Sequence, residues 1–239
     1  MNKNFSIQNL RFRFDETLPQ WLFTGAHCLF KQNALNFIRG KNGSGKSTLF
    51  RILTGRLENL EQVSGTITLD GTTWDLANQE DRSFLTSHMR LAPQKFDQML
   101  ADQFTFPQNL QLASLPQYPG LVAFKETATI PPLVDRFGID YTVPVGMLSG
   151  GQRQILAILM ALQKSASILL LDEPTAALDD KNSSMVMSFL SELLATDKDL
   201  TVLIICHDKE LVDTYAHNQY HQIEVHDDNT RTIELKTIN

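Results

Sequence analysis

The chain has 239 residues, 42% of them hydrophobic, with a formal net charge of -6 and a pI near 5.5. Length and composition allow an α/β domain with a large core, while the acidic balance and the lack of any Lys/Arg cluster exclude broad nucleic-acid binding. The longest wholly apolar run, Ile155 to Leu162, is far below the roughly 18 residues of a bilayer span. The opening residues carry no apolar leader core, and Cys28 and Cys206 give neither a disulfide framework nor a zinc spacing. A cytosolic chain with two buried free thiols is the expectation.

In chain order, the opening third reads as strands. FSIQNLRFRF alternates in part, HCLFKQNALNFIRG carries an extended apolar segment ending at Gly40, and GTITLDGTTW forms two short strands about an Asp70–Gly71 turn. From Lys46 the spacing becomes helical, with Leu49, Ile52, Leu53 and Leu57 on one face and Gly55 near the end. The stretch 95–147 holds six of the nine prolines and reads as short helices joined by loops, such as PQNLQLASL and PPLVDRFGI, which marks it as an inserted helical part. A helix is predicted from about Gly151 to Lys164, then a buried strand in SILLLDEP and a helix near NSSMVMSFLSELLA. A second buried strand in LTVLIICHD and a hairpin in YHQIEVHDDNTRTIEL follow. Apolar strands alternating with helices specify a largely parallel sheet covered on both faces.

GKNGSGKS, from Gly40 to Ser47, satisfies the phosphate-loop pattern in full, between an apolar strand and a helix. Its glycines let backbone N–H groups close around a phosphate, Lys46 brings a positive charge to the β and γ oxygens, and the Ser47 hydroxyl is a Mg²⁺ ligand. In ILLLDEP four apolar residues deliver Asp172 and Glu173 to the carboxyl end of a core strand, where ligands of open parallel sheets lie. Asp172 suits Mg²⁺ held through water, and Glu173 suits the general base for an attacking water. His207, at the end of a second apolar strand, suits a hydrogen bond to the γ-phosphate or that water, and Gln94 in LAPQ suits metal and water. Each of these two taken alone is also an ordinary turn residue.

Gly40 to Thr48, Gln94, LSGGQRQ (Leu148 to Gln154), ILLLDEP, AALD (Ala176 to Asp179) and His207 together resemble the ATPase subunit of ABC transporters over nearly the whole chain. LSGGQ is the specific element, because nucleotide kinases and small GTPases lack it. The resemblance implies an α/β fold: a P-loop NTPase core with a parallel sheet, an N-terminal antiparallel β lobe and an inserted helical subdomain. The core falls at 1–94 and 165–239, and the helical signature part at 95–164. ATP and Mg²⁺ are the implied ligands. Gly40, Lys41, Asn42, Gly43, Ser44, Gly45, Lys46, Ser47 and Thr48 would surround the phosphates, and Ser47, Gln94 and Asp172 would hold the metal. Lys46, Gln94, Glu173 and His207 would carry the catalysis.

The resemblance also accounts for a second glycine-rich cradle. Two copies close head to tail, so that Ser149, Gly150, Gly151 and Gln152 of one chain, together with Asp179, meet the nucleotide held by the other. A helix start carrying a serine hydroxyl and free N–H groups is of use only against an anion. With no spanning segment, the transport work falls to a separate membrane-spanning permease, with the cassette on the inner face of the cell membrane. A solute-binding protein is a further candidate partner, and no nucleic acid is implied. The rival reading is a soluble ABC-type ATPase that moves no solute.

Some positions depart from the family pattern. Phe14 stands where a Tyr usually stacks on adenine, and reads either as that stacking ring or as plain sheet packing. Gln32 and Asn33 replace the usual Gly-Glu, and Asn33 tolerates the left-handed turn a hairpin needs. KFDQMLADQFTF, with Phe96, Met99, Leu100 and Phe104, reads either as the permease docking surface or as packing of the helical insert. His217, His221 and His226 straddle a helix end and a hairpin without a second ligand cluster, which disfavours a metal site.

Overall fold

The computed structural model describes residues 5–17, 19–115, 130–217 and 219–238. Ten strands form one sheet: β1 (Phe5–Arg13), β2 (Phe23–Phe30), β3 (Leu35–Arg39), β4 (Gln62–Leu69), β5 (Thr72–Asp75), β6 (Met89–Ala92), β7 (Ile168–Asp172), β8 (Thr201–Ile205), β9 (Gln219–Val225) and β10 (Arg231–Thr237). The helices are α1 (Lys46–Leu53), α2 (Gln79–Ser87), α3 (Phe106–Ser114), α4 (Gly150–Ala161), α5 (Asp180–Thr196) and α6 (Lys209–Tyr215). Across the sheet the order is β5-β4-β1-β2-β10-β9-β3-β8-β7-β6.

The expected division of the sheet is present. The strands β1, β2, β4 and β5 pair antiparallel, whereas β3, β6, β7 and β8 run parallel. In β7 and β8 alternate residues feed opposite faces. Leu170, Leu203 and Ile205 join a core containing Leu49, Ile52 and Leu53 of α1 and the antiparallel strands, while Leu169, Leu171, Val202 and Ile204 join one built on α4 and α5. Because both faces are covered, these strands are apolar from Ile168 to Leu171 and from Val202 to Ile205, and each buried Leu or Ile stabilises the fold by roughly 1.5–3 kcal/mol.

HCLFKQNALNFIRG is two strands rather than one extended segment. The chain turns at Asn33, whose φ of 49° is left-handed, and the Asn33 amide donates to the carbonyls of Leu194 and Asp197 at 2.7 and 2.9 Å. The strands this turn joins do not pair with each other, because β10 and β9 stand between β2 and β3. Buried Asn36 secures the turn. Its Oδ1 accepts from the Lys31 N–H at 2.8 Å, and its amide nitrogen donates to the carbonyls of Lys31, Ala34 and Val202. Asn36→Ala strands these groups and is expected to lower stability by about 2–3 kcal/mol, read as a fall in the urea midpoint at unchanged slope.

At the Asp70–Gly71 turn both residues have positive φ, 53° and 84°, as a tight hairpin between β4 and β5 requires. The helical insert begins with a short 3-10 turn at Phe96–Met99 and continues in α3. PPLVDRFGI is likewise a single 3-10 stretch, Pro132–Phe137, capped by Pro131 and ended by left-handed Gly138. Pro116 and Pro119 fall outside the described residues. Cys28 and Cys206 are both buried and free, and burial pushes both thiols up, Cys206 to about 11. Among the described residues no helix is long and apolar enough to cross a membrane.

Candidate functional site

The site follows from strand register. Ile38 of β3 and Asp172 of β7 both lie opposite Ile205 of β8, and Ala92 of β6 lies opposite Leu171. Four neighbouring parallel strands therefore end in one row, and Gly40, Gln94, Glu173 and His207, one or two residues beyond the strand ends, leave the sheet along the same edge.

The loop after β3 wraps into α1. Gly45, immediately before the helix, has a φ of 102°, and a side chain on Gly40 would come within 2.4 Å of Ser44 Oγ. Both positions need glycine for the loop to close so tightly. Lys46 is buried, and its ammonium donates to the Gly40 and Lys41 carbonyls at 2.9 and 3.1 Å. Burial pulls this ammonium down from its usual range, against the opposing pull of Glu173 and Asp172. Inside the loop Ser44 Oγ is buried without a protein partner, as suits a cradle that completes its hydrogen bonds on an anion. Lys41, Asn42, Gly43 and Ser47 are exposed, and Thr48 is half-buried.

Glu173 is held on every side. Its φ of 50° is left-handed, a conformation that costs about 1–2 kcal/mol in a non-glycine residue, and its N–H donates to the Ile205 carbonyl at 3.0 Å. Gln94 Nε2 donates to Glu173 Oε2 at 2.8 Å, and His207 Nε2 lies 3.0 Å from Oε1. The latter contact assigns the His207 proton to Nε2. Beside it, burial and then the neighbouring Glu173 push the Asp172 carboxyl up, while a hydrogen bond from the Ser47 hydroxyl pulls it down.

Phe14 is half exposed, with the Phe12 ring edge-on at 5.1 Å and the Arg51 guanidinium 5.7 Å from its centre. With Trp21, Leu22, Asn229 and Arg231 it lines a cavity of about 230 Å³. The cavity adjoins the phosphate loop, because Arg231 Nη2 reaches the Gly43 carbonyl at 3.5 Å and Gly45 backs onto Phe23 and Leu22. Trp21, bracketed by the Arg11 and Arg13 guanidinium groups at 4.6 and 4.7 Å, is a second ring in this cavity that sequence reasoning missed.

The second cradle stands at the start of α4. Ser149 is its N-cap, with a reciprocal capping box to Gln152, and the Gln152 amide donates to the carbonyls of Phe137 and Gly138. Asp179 caps α5. Apart from the backbone bonds of α4 itself, the bonds made by 149–152 run to 137–138, to Asn182 and among themselves, and among the described residues none reaches the loop at 40–48. On the insert, Phe96 is buried, Met99 and Leu100 are half-buried, and Phe104 is exposed. Of the three late histidines, buried His221 places Nε2 3.1 Å from the Leu29 carbonyl, and His226 bonds Thr232.

A family model described as ABC transporter matches residues 24–176. The chain belongs to the ABC transporter family. A curated relative of this ABC cassette, the tyrosine transport ATP-binding protein of Clostridioides difficile, is 34% identical over 211 residues, 84% of this chain and 81% of that one. Arabinose import ATP-binding protein AraG 2 of Burkholderia ambifaria is 33% identical over 179 residues. That match takes in 74% of this chain but 33% of the relative, so the cassette spans about a third of AraG 2. Among solved structures, cbiO1 of Clostridium perfringens, part of the ABC transporter complex cbiONQ, shares the fold with a TM-score of 0.75 at 24% identity, covering 99% of this chain and 89% of that one.

Proposed function

We propose that the chain is the ATP-hydrolysing subunit of an ABC transporter, working at the inner face of the membrane through a separate spanning protein. ATP closes two copies head to tail, and hydrolysis reopens them. The observation that carries this reading is the row of Gly40, Gln94, Glu173 and His207 at the ends of four adjacent strands, beside a complete phosphate loop. The relatives named for tyrosine transport and arabinose import support the transport role, and no observation favours the soluble ATPase alternative.

In this reading the backbone of Gly40–Thr48 and Lys46 hold the β- and γ-phosphates, and the ring of Phe14 packs on the base. Mg²⁺ fits the residues present. Asp172, the Ser47 hydroxyl and the Gln94 amide are hard oxygen donors, and two adjacent carboxylates leave negative charge for a cation to balance. Among the described residues no group of three or more His, Cys, Asp or Glu forms a cage, so the substrate phosphates would complete the coordination, as Mg²⁺ commonly requires. When bound, the metal withdraws charge from the phosphoryl oxygens. Glu173, oriented by Gln94 and His207, takes the proton of the attacking water, and His207 holds that carboxylate in place. Ser149, Gly150, Gly151 and Gln152, with Asp179, serve the nucleotide of the second copy.

The organisation follows the same reading. Residues 1–94 and 165–239 form the ATP-binding core and 95–164 the helical part, where exposed Phe104 and half-buried Met99 and Leu100 offer the docking surface while Phe96 packs the insert. The test is recovery of tagged chain from detergent-solubilised membranes, together with ATP hydrolysis by the purified chain. The expected result is hydrolysis together with stoichiometric recovery of a multi-span protein. Hydrolysis with no membrane protein recovered would overturn the transport role in favour of a soluble ATPase.

A further inference from the structure

Asn182, in the first turn of α5, links the two ends of the second cradle. Its amide nitrogen donates to both Asp179 carboxylate oxygens at 3.0 Å, and its backbone N–H donates to Oδ1 of the same residue at 2.8 Å. This fixes the amide orientation, because reversing it would set oxygen against carboxylate. The amide oxygen therefore points to the start of α4, where it accepts from the Ser149 hydroxyl at 2.9 Å and the Gly151 N–H at 3.1 Å. The approach is close. A side chain on Gly151 would meet Asn182 Oδ1 at 2.7 Å, and one on Gly150 would meet Leu178 Cδ2 at 2.7 Å. At Gly151 the Asn182 Cβ and backbone oxygen also lie 3.1 Å away, so that position is closed by the chain's own α5, before any phosphate is considered.

A serine hydroxyl has one proton and a backbone amide one hydrogen, and here both are given to a single neutral oxygen. We propose that Asn182 is an internal acceptor holding the donors of the signature loop, so that the phosphate of a second copy engages Ser149 and Gly151 only by displacing the Asn182 carboxamide oxygen. This rests on the head-to-tail reading above. Hydrogen bonds to a charged phosphate are stronger than those to a neutral amide, so the exchange runs forward when ATP is presented and back once phosphate has gone. Asn182 in this way sets the ATP concentration at which two copies close. The helix start does not depend on it, since the capping box between Ser149 and Gln152 and the Arg153 N–H bond to the Ser149 carbonyl are made without Asn182.

The experiment places Asn182→Ala and Asn182→Leu, both lacking the acceptor, in a Glu173→Gln background and follows ATP-dependent dimerisation by light scattering. Both are expected to dimerise at about tenfold lower ATP, the scale of two released neutral hydrogen bonds, with unchanged affinity of the monomer for a fluorescent ATP analogue. A damaged structure would not produce tighter closure. An unchanged or higher ATP requirement in both variants overturns the proposal, and a higher one makes Asn182 a scaffold of the loop. If the Glu173→Gln parent itself fails to dimerise with ATP, the head-to-tail reading fails, and the proposal with it.

Discussion

Glu173→Gln is expected to bind ATP with little loss while its hydrolysis falls by about 10²–10⁴-fold, the usual contribution of a general base. The substitution keeps the shape of the side chain and removes only its capacity to take a proton. The surroundings tolerate it. Gln94 donates to one oxygen of Glu173 and His207 lies against the other, and a glutamine amide can still accept from Gln94 while its nitrogen donates to the opposite tautomer of His207. Hydrolysis is the step proposed to reopen the pair, so the variant should accumulate as a closed dimer in ATP. Light scattering should then read near twice the chain mass of 27.0 kDa. Turnover close to that of the parent would remove Glu173 from the role of base.

Complementation between two inactive chains is the second large effect. Lys46→Ala removes the buried cation of the phosphate loop, and Ser149→Arg places a long side chain on the second cradle. Each alone is expected to retain on the order of one per cent of the parent ATPase or less, the scale set by losing a main electrostatic contact to the transferred phosphoryl group. A mixture forms some dimers in which the intact loop of one chain faces the intact signature of the other, which restores one composite site. Phosphate release should then clearly exceed the sum of the two parents. Loss of the Ser149 cap costs about 1 kcal/mol, so thermal melts must show both variants folded at assay temperature. Equality with the sum, with heterodimers formed and no nucleotide trapped in them, would place the signature in the service of its own chain.

The parallel half of the fold was legible because its strands obey a simple rule: β7 and β8 are buried on both faces and read as apolar runs, so the residues at their carboxyl ends could be read as the candidate site. The positions of Asp172, Glu173 and His207 along the sheet edge came from that rule alone. Two turns were legible from backbone chemistry, Asp70–Gly71 and Asn33, since both place small polar residues or glycine at positive φ. The partners of β2 and β3 were not legible. A short turn between apolar strands suggests a hairpin, and only long-range packing of β9 and β10 drives the two apart.

Helix α2 was missed because its apolar face is slight, with Leu85 its one buried residue, although the Asn78 cap and the acidic Glu80 and Asp81 of its first turn mark a helix start. Phe96 reads in sequence either as a docking anchor or as packing of the helical insert, and its burial at the start of a 3-10 turn agrees with the second. Asn182 carried no signal at all. Its importance lies in a contact between α4 and α5 that no local pattern encodes.

The placement of β3 bears on how the protein is made. The strand that presents the phosphate loop is synthesised early, yet its neighbours in the sheet are β8 and β9, with Ile38 facing Ile205 on one side and His221 on the other. At about 5–20 residues per second a ribosome takes on the order of ten seconds or more to reach them. Over that interval Leu35–Arg39 has no strand to pair with, while β1, β2, β4 and β5 already have their antiparallel partners nearby in sequence. The antiparallel lobe can therefore form on the nascent chain, whereas β3, and the loop it presents, gains its sheet neighbours only once β8 and β9 have been made.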